Sequence, residues 1–122
     1  MTIPLAAGQT ISVMSYQATN LQWSIYGCEI AAGVPQYKCL ACNYSAVGAQ
    51  AWTSIYTVPT GRMALISHLN VLNNAGAAIN VYIGTGGNGY LANALWLERY
   101  GAVTFDSDGM HVTTGSGGYR YA

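Results

Sequence analysis

The three cysteines are the residues whose type and spacing most directly suggest chemistry. Cys39 and Cys42 have the C-x-x-C spacing found in zinc sites and in thiol redox centres. A structural zinc ion needs four ligands, so Cys28 and either His68 or His111 would have to complete the site. A redox pair normally begins a helix, whereas the residues around this pair have an extended pattern. We therefore interpret the cysteines as small buried hydrophobic side chains and predict no metal centre.

The acidic residues do not form a recognisable catalytic pair. Glu29 and Glu98 are distant in the sequence. Asp106 and Asp108 lie in the sequence Asp-Ser-Asp-Gly, which favours a turn whose Asp side chains bond the local backbone. A calcium loop would need further acidic ligands. The chain also lacks the Gly-x-Ser-x-Gly motif of a nucleophile elbow, so we predict no catalytic, cofactor-binding or metal-binding residues and no enzymatic activity.

The composition is unusually poor in charge. The chain has 122 residues, four Lys or Arg and four Asp or Glu, and only 7% of its residues are charged while 52% are hydrophobic. The cations are scattered singly, which argues against binding nucleic acid, and no apolar stretch is long enough for a transmembrane helix. We expect a protein made in the cytoplasm without a signal peptide. Its surface should be neutral and polar, buried against other subunits, or both.

The elements that must position these residues show a period of two. Short runs rich in β-branched and aromatic residues alternate between apolar and polar positions, and Gly, Pro, Asn or Asp clusters separate them. The predicted strands include 11–13, 21–25, 37–41, 52–58, 64–72, 79–83, 95–97, 102–105, 110–114 and 119–121. The predicted turns are 59–61, 73–76, 84–89, 106–109 and 115–118. Residues 91–95 are the only brief helical candidate, at best a turn.

About ten short strands without a sustained helix predict an all-β, jelly-roll-like β-sandwich. Residues 1–47 hold all three cysteines and alternate more weakly, whereas residues 48–122 form a tight series of strands and turns. We expect one structural unit in which 48–122 is the sandwich core. Residues 1–47 either add strands to it or extend as an arm onto a neighbouring subunit.

The segment Ile55–Ile83 contains Tyr-Thr-Val-Pro-Thr-Gly, a strand, an Asn-rich turn and a second strand. This segment resembles a pattern in small structural proteins of tailed bacteriophages, and Gly109–Thr113 and Leu5–Val13 are similar to strands in such virion proteins. The resemblance covers chiefly the C-terminal 70 or so residues and carries no chemistry. It implies a β-sandwich subunit, often trimeric, that decorates a capsid or belongs to a neck, tail or fibre.

The sequence therefore predicts a capsid decoration or cement protein that bridges and stabilises coat subunits of a phage virion. Its partners would be other copies of itself, as a homotrimer, and the major capsid protein or other virion proteins. Ten Tyr and three Trp could supply the contact area. A neck, tail or fibre component is the first alternative. The second is a small carbohydrate-binding module whose exposed aromatic residues stack on sugar rings.

Overall fold

A computed structural model describes residues 3–75, 77–85 and 90–113 of the chain. They form ten strands and no helix: β1 Ile3–Leu5, β2 Thr10–Ser15, β3 Thr19–Ala31, β4 Val34–Val47, β5 Thr53–Thr57, β6 Arg62–Asn73, β7 Ile79–Gly84, β8 Tyr90–Leu97, β9 Ala102–Asp106 and β10 Gly109–Thr113. The strands make two antiparallel sheets packed face to face, so the predicted all-β sandwich is confirmed. Within those ranges no helix could cross a membrane.

The larger sheet has six strands: five have the order β10-β9-β6-β3-β4, and the sixth, β1, pairs with β6. β6 is long enough to hold two neighbours along the same side: β9 pairs with residues 69–72 and β1 with residues 64–66. Its other side pairs with β3 along almost the whole strand. β3 and β6 are therefore the central strands of this sheet, and β4 is its last strand.

The smaller sheet has the order β5-β2-β7-β8 and covers one face of the larger sheet. Alternate residues of both sheets meet between them, as the period of two requires. In β3, for example, Leu21, Trp23 and Ile25 are buried while their neighbours face outward. The fully buried side chains of largest volume are Ile11, Leu21, Ile25, Ile66, Leu69, Ile83 and Leu97.

Residues before position 48 contribute to both sheets. β2 is an inner strand of the smaller sheet, and β3 is an inner strand of the larger one. Val13, Leu21 and Ile25 belong to the same hydrophobic core as the strands that follow. The described part of residues 1–47 is thus built into the sandwich.

Two other sequence predictions can be compared with the structure. Residues 91–95 are not helical or a turn, because they lie in β8 and pair with β7. The Pro59–Gly61 turn is confirmed: the Arg62 N–H donates to the Pro59 carbonyl at 3.2 Å, and Gly61 has a φ of +78°. The predicted strand 119–121, the turn 115–118 and most of the turn 84–89 lie outside the described residues.

β3 and β4 form one long hairpin. The turn between them is Ala32-Gly33, and both residues have positive φ values of 50° and 77°. Two successive residues with positive φ make the type I′ turn whose twist matches that of paired strands. From this turn the pairing runs from Ala31 opposite Val34 to Thr19 opposite Val47.

Candidate assembly surface

The largest uncovered strand of the described chain is β4. One side of it pairs with β3, and in residues 3–75, 77–85 and 90–113 no strand pairs with its other side, which we call the β4 edge. Side chains on both faces of β4 are exposed over most of its 14 residues. Val34, Tyr37 and Tyr44 are 61%, 66% and 70% exposed. An edge of this length is a template for pairing with another chain.

The β4 edge carries one instance each of three devices that limit strand pairing, a charge, a proline and a β-bulge, but it is not short. Such devices include charges, prolines, bulges and short strand length. β4 has one charged residue, Lys38, and one proline, Pro35, which lies next to the turn. The N–H of Tyr44 donates to the side chain of Asn43 at 2.8 Å, so a side chain of the same strand satisfies this backbone donor.

A β-bulge lies in the middle of β4. Ile25 of β3 faces Ala41, but the next residue, Tyr26, faces Cys39, so Leu40 is an extra residue in β4. Leu40 and Ala41 both pack against the hydrophobic core. The side chains of Cys39 and Cys42, on either side of Leu40 and Ala41, consequently point away from the core. We call this side of the larger sheet the outer face. A bulge of this kind re-aims the side chains that follow it.

The bulge places Cys39 and Cys42 on the same face. In a regular strand, residues three positions apart point to opposite faces. Here Cys39 lies opposite Tyr26 and Cys42 opposite Ser24, both on the outer face, and the two cysteines form a disulfide. Both are exposed. The prediction that these cysteines are small buried hydrophobic side chains is therefore wrong for this pair.

Cys28 lies on the outer face beside this pair. It faces Tyr37, while Cys39 faces Tyr26, so Cys28 and Cys39 are diagonal neighbours on adjacent strands. Cys28 is a free thiol and is half-buried. The hairpin thus gathers all three cysteines on one face, which spacing along the chain alone did not predict.

Tyr37 ties the hairpin to β6 on the outer face. The Ser67 hydroxyl donates to the carbonyl of Tyr26 at 3.3 Å, so the Tyr37 hydroxyl is the donor in its 2.8 Å bond to Ser67. Ser67 is itself an extra residue, because Tyr26 faces His68 and Gly27 faces Ile66. The Tyr37 side chain therefore reaches from the last strand across β3.

A buried carboxylate ties β4 down from the other face. Glu29 is only 5% exposed, and it accepts hydrogen bonds from Tyr56 at 2.7 Å and Arg62 at 3.0 Å. Lys38 of β4 lies 2.9 Å from the same carboxylate. Four strands, β3, β4, β5 and β6, therefore meet at one carboxylate. A buried carboxylate requires such charged and hydrogen-bonding partners.

The surroundings of Glu29 shift two pKa values in opposite directions. Burial by itself would raise the pKa of Glu29, but hydrogen bonds from Lys38, Tyr56 and Arg62, with the charge of Lys38, outweigh it and lower the pKa. Burial and the adjacent carboxylate raise the pKa of Tyr56. Glu29 therefore stays ionised and Tyr56 stays a hydrogen-bond donor at neutral pH.

The turn between β9 and β10 carries a second polar cluster. The Asp108 N–H donates to Asp106 at 2.9 Å, which confirms the predicted turn, and His111 Nε2 donates to the same oxygen at 3.1 Å. The backbone bond, with His111 and His68 nearby, lowers the pKa of Asp106. Ligand atoms of Asp106, Asp108 and His111 lie within 4.8 Å of one another. Since these hydrogen bonds account for the arrangement, we assign the cluster to the turn.

The two histidines lie on the outer face rather than in the core. His68 faces Tyr26, and the two rings are edge to face with centroids 5.8 Å apart. His111 faces Thr104 on β9. Both are half-buried. Tyr26 lies between His68 and Cys39 in the row of paired residues across β6, β3 and β4. His68 and the cysteine pair are therefore not arranged as ligands of one metal ion.

Glu29 and Glu98 do not form a carboxylate pair in the described structure. Glu29 is engaged by residues of β4, β5 and β6, whereas Glu98 is exposed beyond the end of β8. The sequence analysis missed the cluster around Glu29, since its hydrogen-bonding partners lie 27 and 33 positions away. A usable signal was the placement of Glu29 and Lys38 on either side of the Ala32-Gly33 turn.

Large aromatic residues are exposed away from β4 as well. Trp96 on β8 is 58% exposed, Trp52 precedes β5, and Tyr16 follows β2 with its ring 5.6 Å from that of Tyr82. The Arg99 guanidinium lies over the ring of Tyr100 at 4.7 Å. Exposed aromatic side chains are typical of contact surfaces because they supply a large area at a small entropic cost.

Comparison of the chain with protein-family models, with curated proteins and with solved structures found no match.

Proposed function

We propose that this chain is a structural protein of a phage virion, a decoration or cement protein that self-associates and bridges coat subunits on the capsid. The observation that carries the proposal is the β4 edge: 14 residues of strand with one side unpaired in the described structure and exposed side chains on both faces. The chain would act by binding alone, with no chemical turnover.

The charge content supports a role in an assembly. The molecule exposes 6305 Å² of surface and has eight charged residues in the whole sequence. Two of these, Glu29 and Lys38, pair with each other. A surface with so little charge offers little repulsion between copies and loses little hydration when it is covered. Interface cores are likewise depleted in charge and enriched in aromatic residues.

The resemblance of Ile55–Ile83 to phage structural proteins supports the choice of a virion over other assemblies. In this chain that segment forms β5, β6 and β7, which belong to both sheets. The same resemblance covers neck, tail and fibre proteins, so location on the capsid has to be tested directly.

Co-sedimentation tests this proposal. The purified chain is mixed with empty shells, and separately with isolated tails, of the virus that encodes it. We expect saturable pelleting with shells and none with tails. Pelleting with tails alone would transfer the proposal to a neck, tail or fibre role, and a chain that stays in the supernatant with both would contradict a structural role in the virion.

A carbohydrate-binding module is the second candidate, and the exposure of Trp96 favours it. An aromatic ring that is more than half exposed on a strand can stack on a sugar ring. Glycan-array binding that is lost in Trp96→Ala but kept in Tyr44→Ala would support this candidate. If the chain binds no glycan on the array, the result contradicts a carbohydrate-binding function for the sugars tested.

A further inference from the structure

We propose that two copies of this chain pair through their β4 edges, antiparallel and in full overlap, about a two-fold axis between Leu40 and Ala41. This inference rests on the self-association proposed above. It adds which surface makes the contact, which strand the surface pairs with and in which register. The partner is a second copy of the same strand, and the two larger sheets become one continuous sheet.

The β4 edge has the length and the fixed conformation needed to pair with a further strand. β4 is long, about 45 Å at the usual rise per residue, and its outward side is unpaired within the described ranges. Its inward side is fixed by the β3 ladder, by the Lys38–Glu29 ion pair and by the Tyr37–Ser67 bond. The strand is thus held in an extended conformation before it meets a partner, which reduces the entropy lost on pairing.

The bulge in β4 favours this register. Paired residues of an antiparallel ladder must point to the same face. Before the bulge the odd-numbered residues Tyr37 and Cys39 point to the outer face, and after it the even-numbered residues Cys42 and Tyr44 do. Full overlap places Tyr37 opposite Tyr44 and Cys39 opposite Cys42 of the second copy. Outer side chains therefore meet outer side chains along the strand only because the bulge lies at its centre.

The residues that would face each other across the two β4 strands are chemically compatible. In this register the exposed rings of Tyr37 and Tyr44 face each other, which is a favourable cross-strand pair. The only charged residue, Lys38, faces the neutral Asn43. Hence no like charges oppose each other, and Pro35, which has no N–H to donate, lies at the end of the ladder rather than its centre.

Pairing about a two-fold axis also limits further growth through the β4 edge. A two-fold contact uses each β4 edge once and leaves no unpaired β4 edge for a third copy. It removes the long exposed edge that would otherwise promote uncontrolled aggregation. Assemblies built on this contact contain an even number of chains, so a trimer formed through another surface would associate further into six chains.

Disulfide trapping tests the register. One variant carries Cys28→Ser and Cys42→Ser, and the other, enlarged by a tag, carries Cys28→Ser and Cys39→Ser. Facing residues would have Cα atoms about 4.5–5.5 Å apart, within the range that a disulfide spans. Two copies of the same variant would place their cysteines three positions apart, at about 10 Å, which is too far.

Oxidation with copper phenanthroline should link the mixed variants into a heterodimer at least five times more efficiently than either variant alone, on a non-reducing gel. Equal linkage in all three samples, or none in the mixture, would overturn the proposed register. Circular dichroism of each variant checks that it is folded. If either variant is unfolded, sedimentation equilibrium of the unaltered chain measures the mass of its assembly instead. A mass of two or six chains supports the pairing, and a mass of one or three chains overturns it. A three-chain assembly that pellets with shells would overturn the pairing and leave the proposed function intact.

Discussion

Glu29 is the residue on which the attachment of β4 depends most. Its carboxylate is buried and holds Lys38, Tyr56 and Arg62 around it. The sequence alone shows an ordinary acidic residue in a charge-poor chain. Its importance could not be predicted, because the three partners come together only when the hairpin, β5 and β6 are in place.

We expect Glu29→Gln to lower the free energy of unfolding by about 2 kcal/mol, because it removes the charge-assisted hydrogen bonds from Lys38 and Arg62. The side chains of Lys38 and Arg62 are 44% and 38% exposed, so both cations stay hydrated without the carboxylate. Urea denaturation measures this change. Glu98→Gln is the matched control: Glu98 is exposed, so its substitution should change stability by less than about 0.5 kcal/mol. Equal losses in the two variants would contradict the role given to Glu29.

The pH dependence of stability should report the same carboxylate. The pKa of Glu29 is lower in the folded chain than the ordinary pKa of a glutamate side chain. Its stabilising contribution is therefore complete above the unfolded pKa and disappears as the pH falls through the folded pKa.

The stability difference between the unaltered chain and Glu29→Gln should consequently be largest at neutral pH and shrink below about pH 4.5. The difference between the two proteins has to be measured because Asp106 also has a lowered pKa and contributes in the same direction. A difference that is constant from pH 7 to pH 3 would mean that Glu29 acts only through packing.

Among the elements, the period of two predicted most strands, but it did not mark β1 and it marked only residues 37–41 of β4. In β2, β3, β6 and β7 one face is buried against the core, so the apolar alternation marks them. β4 is exposed on both faces and therefore has no such alternation over its full length. The disulfide was missed for a related reason: a bulge depends on the neighbouring strand and not on local sequence.

At Gly27 the backbones of β3 and β6 lie too close together for a side chain. This position is next to the bulge at Ser67 in β6. A Cβ atom at this position would collide with the backbone carbonyl of Leu65. We expect Gly27→Ala to lower the free energy of unfolding by about 2 kcal/mol, because rigid backbone has to move.

Gly48→Ala is the control for this substitution, since a Cβ at Gly48 meets nothing within 4 Å. Thermal unfolding followed by circular dichroism compares the two variants. A Gly27→Ala protein as stable as Gly48→Ala would show that β3 and β6 are not so closely spaced.

The pairing of β4 edges predicts a charge effect at Asn43. This residue would face Lys38 of the second copy, twice in each symmetric pair. Asn43→Lys should therefore weaken association about tenfold, which corresponds to about 0.7 kcal/mol for each of two opposed like-charge pairs.

Asn43→Asp should preserve or strengthen association, because it places opposite charges together at the same position. Sedimentation equilibrium of the two variants at low salt measures both effects. If both substitutions weaken association equally, Asn43 does not face Lys38.

At the scale of the whole molecule, the shortage of charge and the exposed β4 edge point to the same conclusion. The sequence predicted that this chain needs either a neutral polar coat or burial against other subunits. The structure has a core filled from both sheets and still exposes Val34, Tyr37, Tyr44 and Trp96. The excess of aromatic residues is therefore at the surface, where other chains can cover it.

The mass of the purified chain in solution tests this account most directly. Sedimentation equilibrium at micromolar concentration, with reducing agent present and absent, measures it without any partner or label. We predict an assembly containing an even number of 12.9 kDa chains under both conditions, because strand pairing does not require a covalent bond. A single species of 12.9 kDa at these concentrations would contradict the central claim that the chain works as part of an assembly.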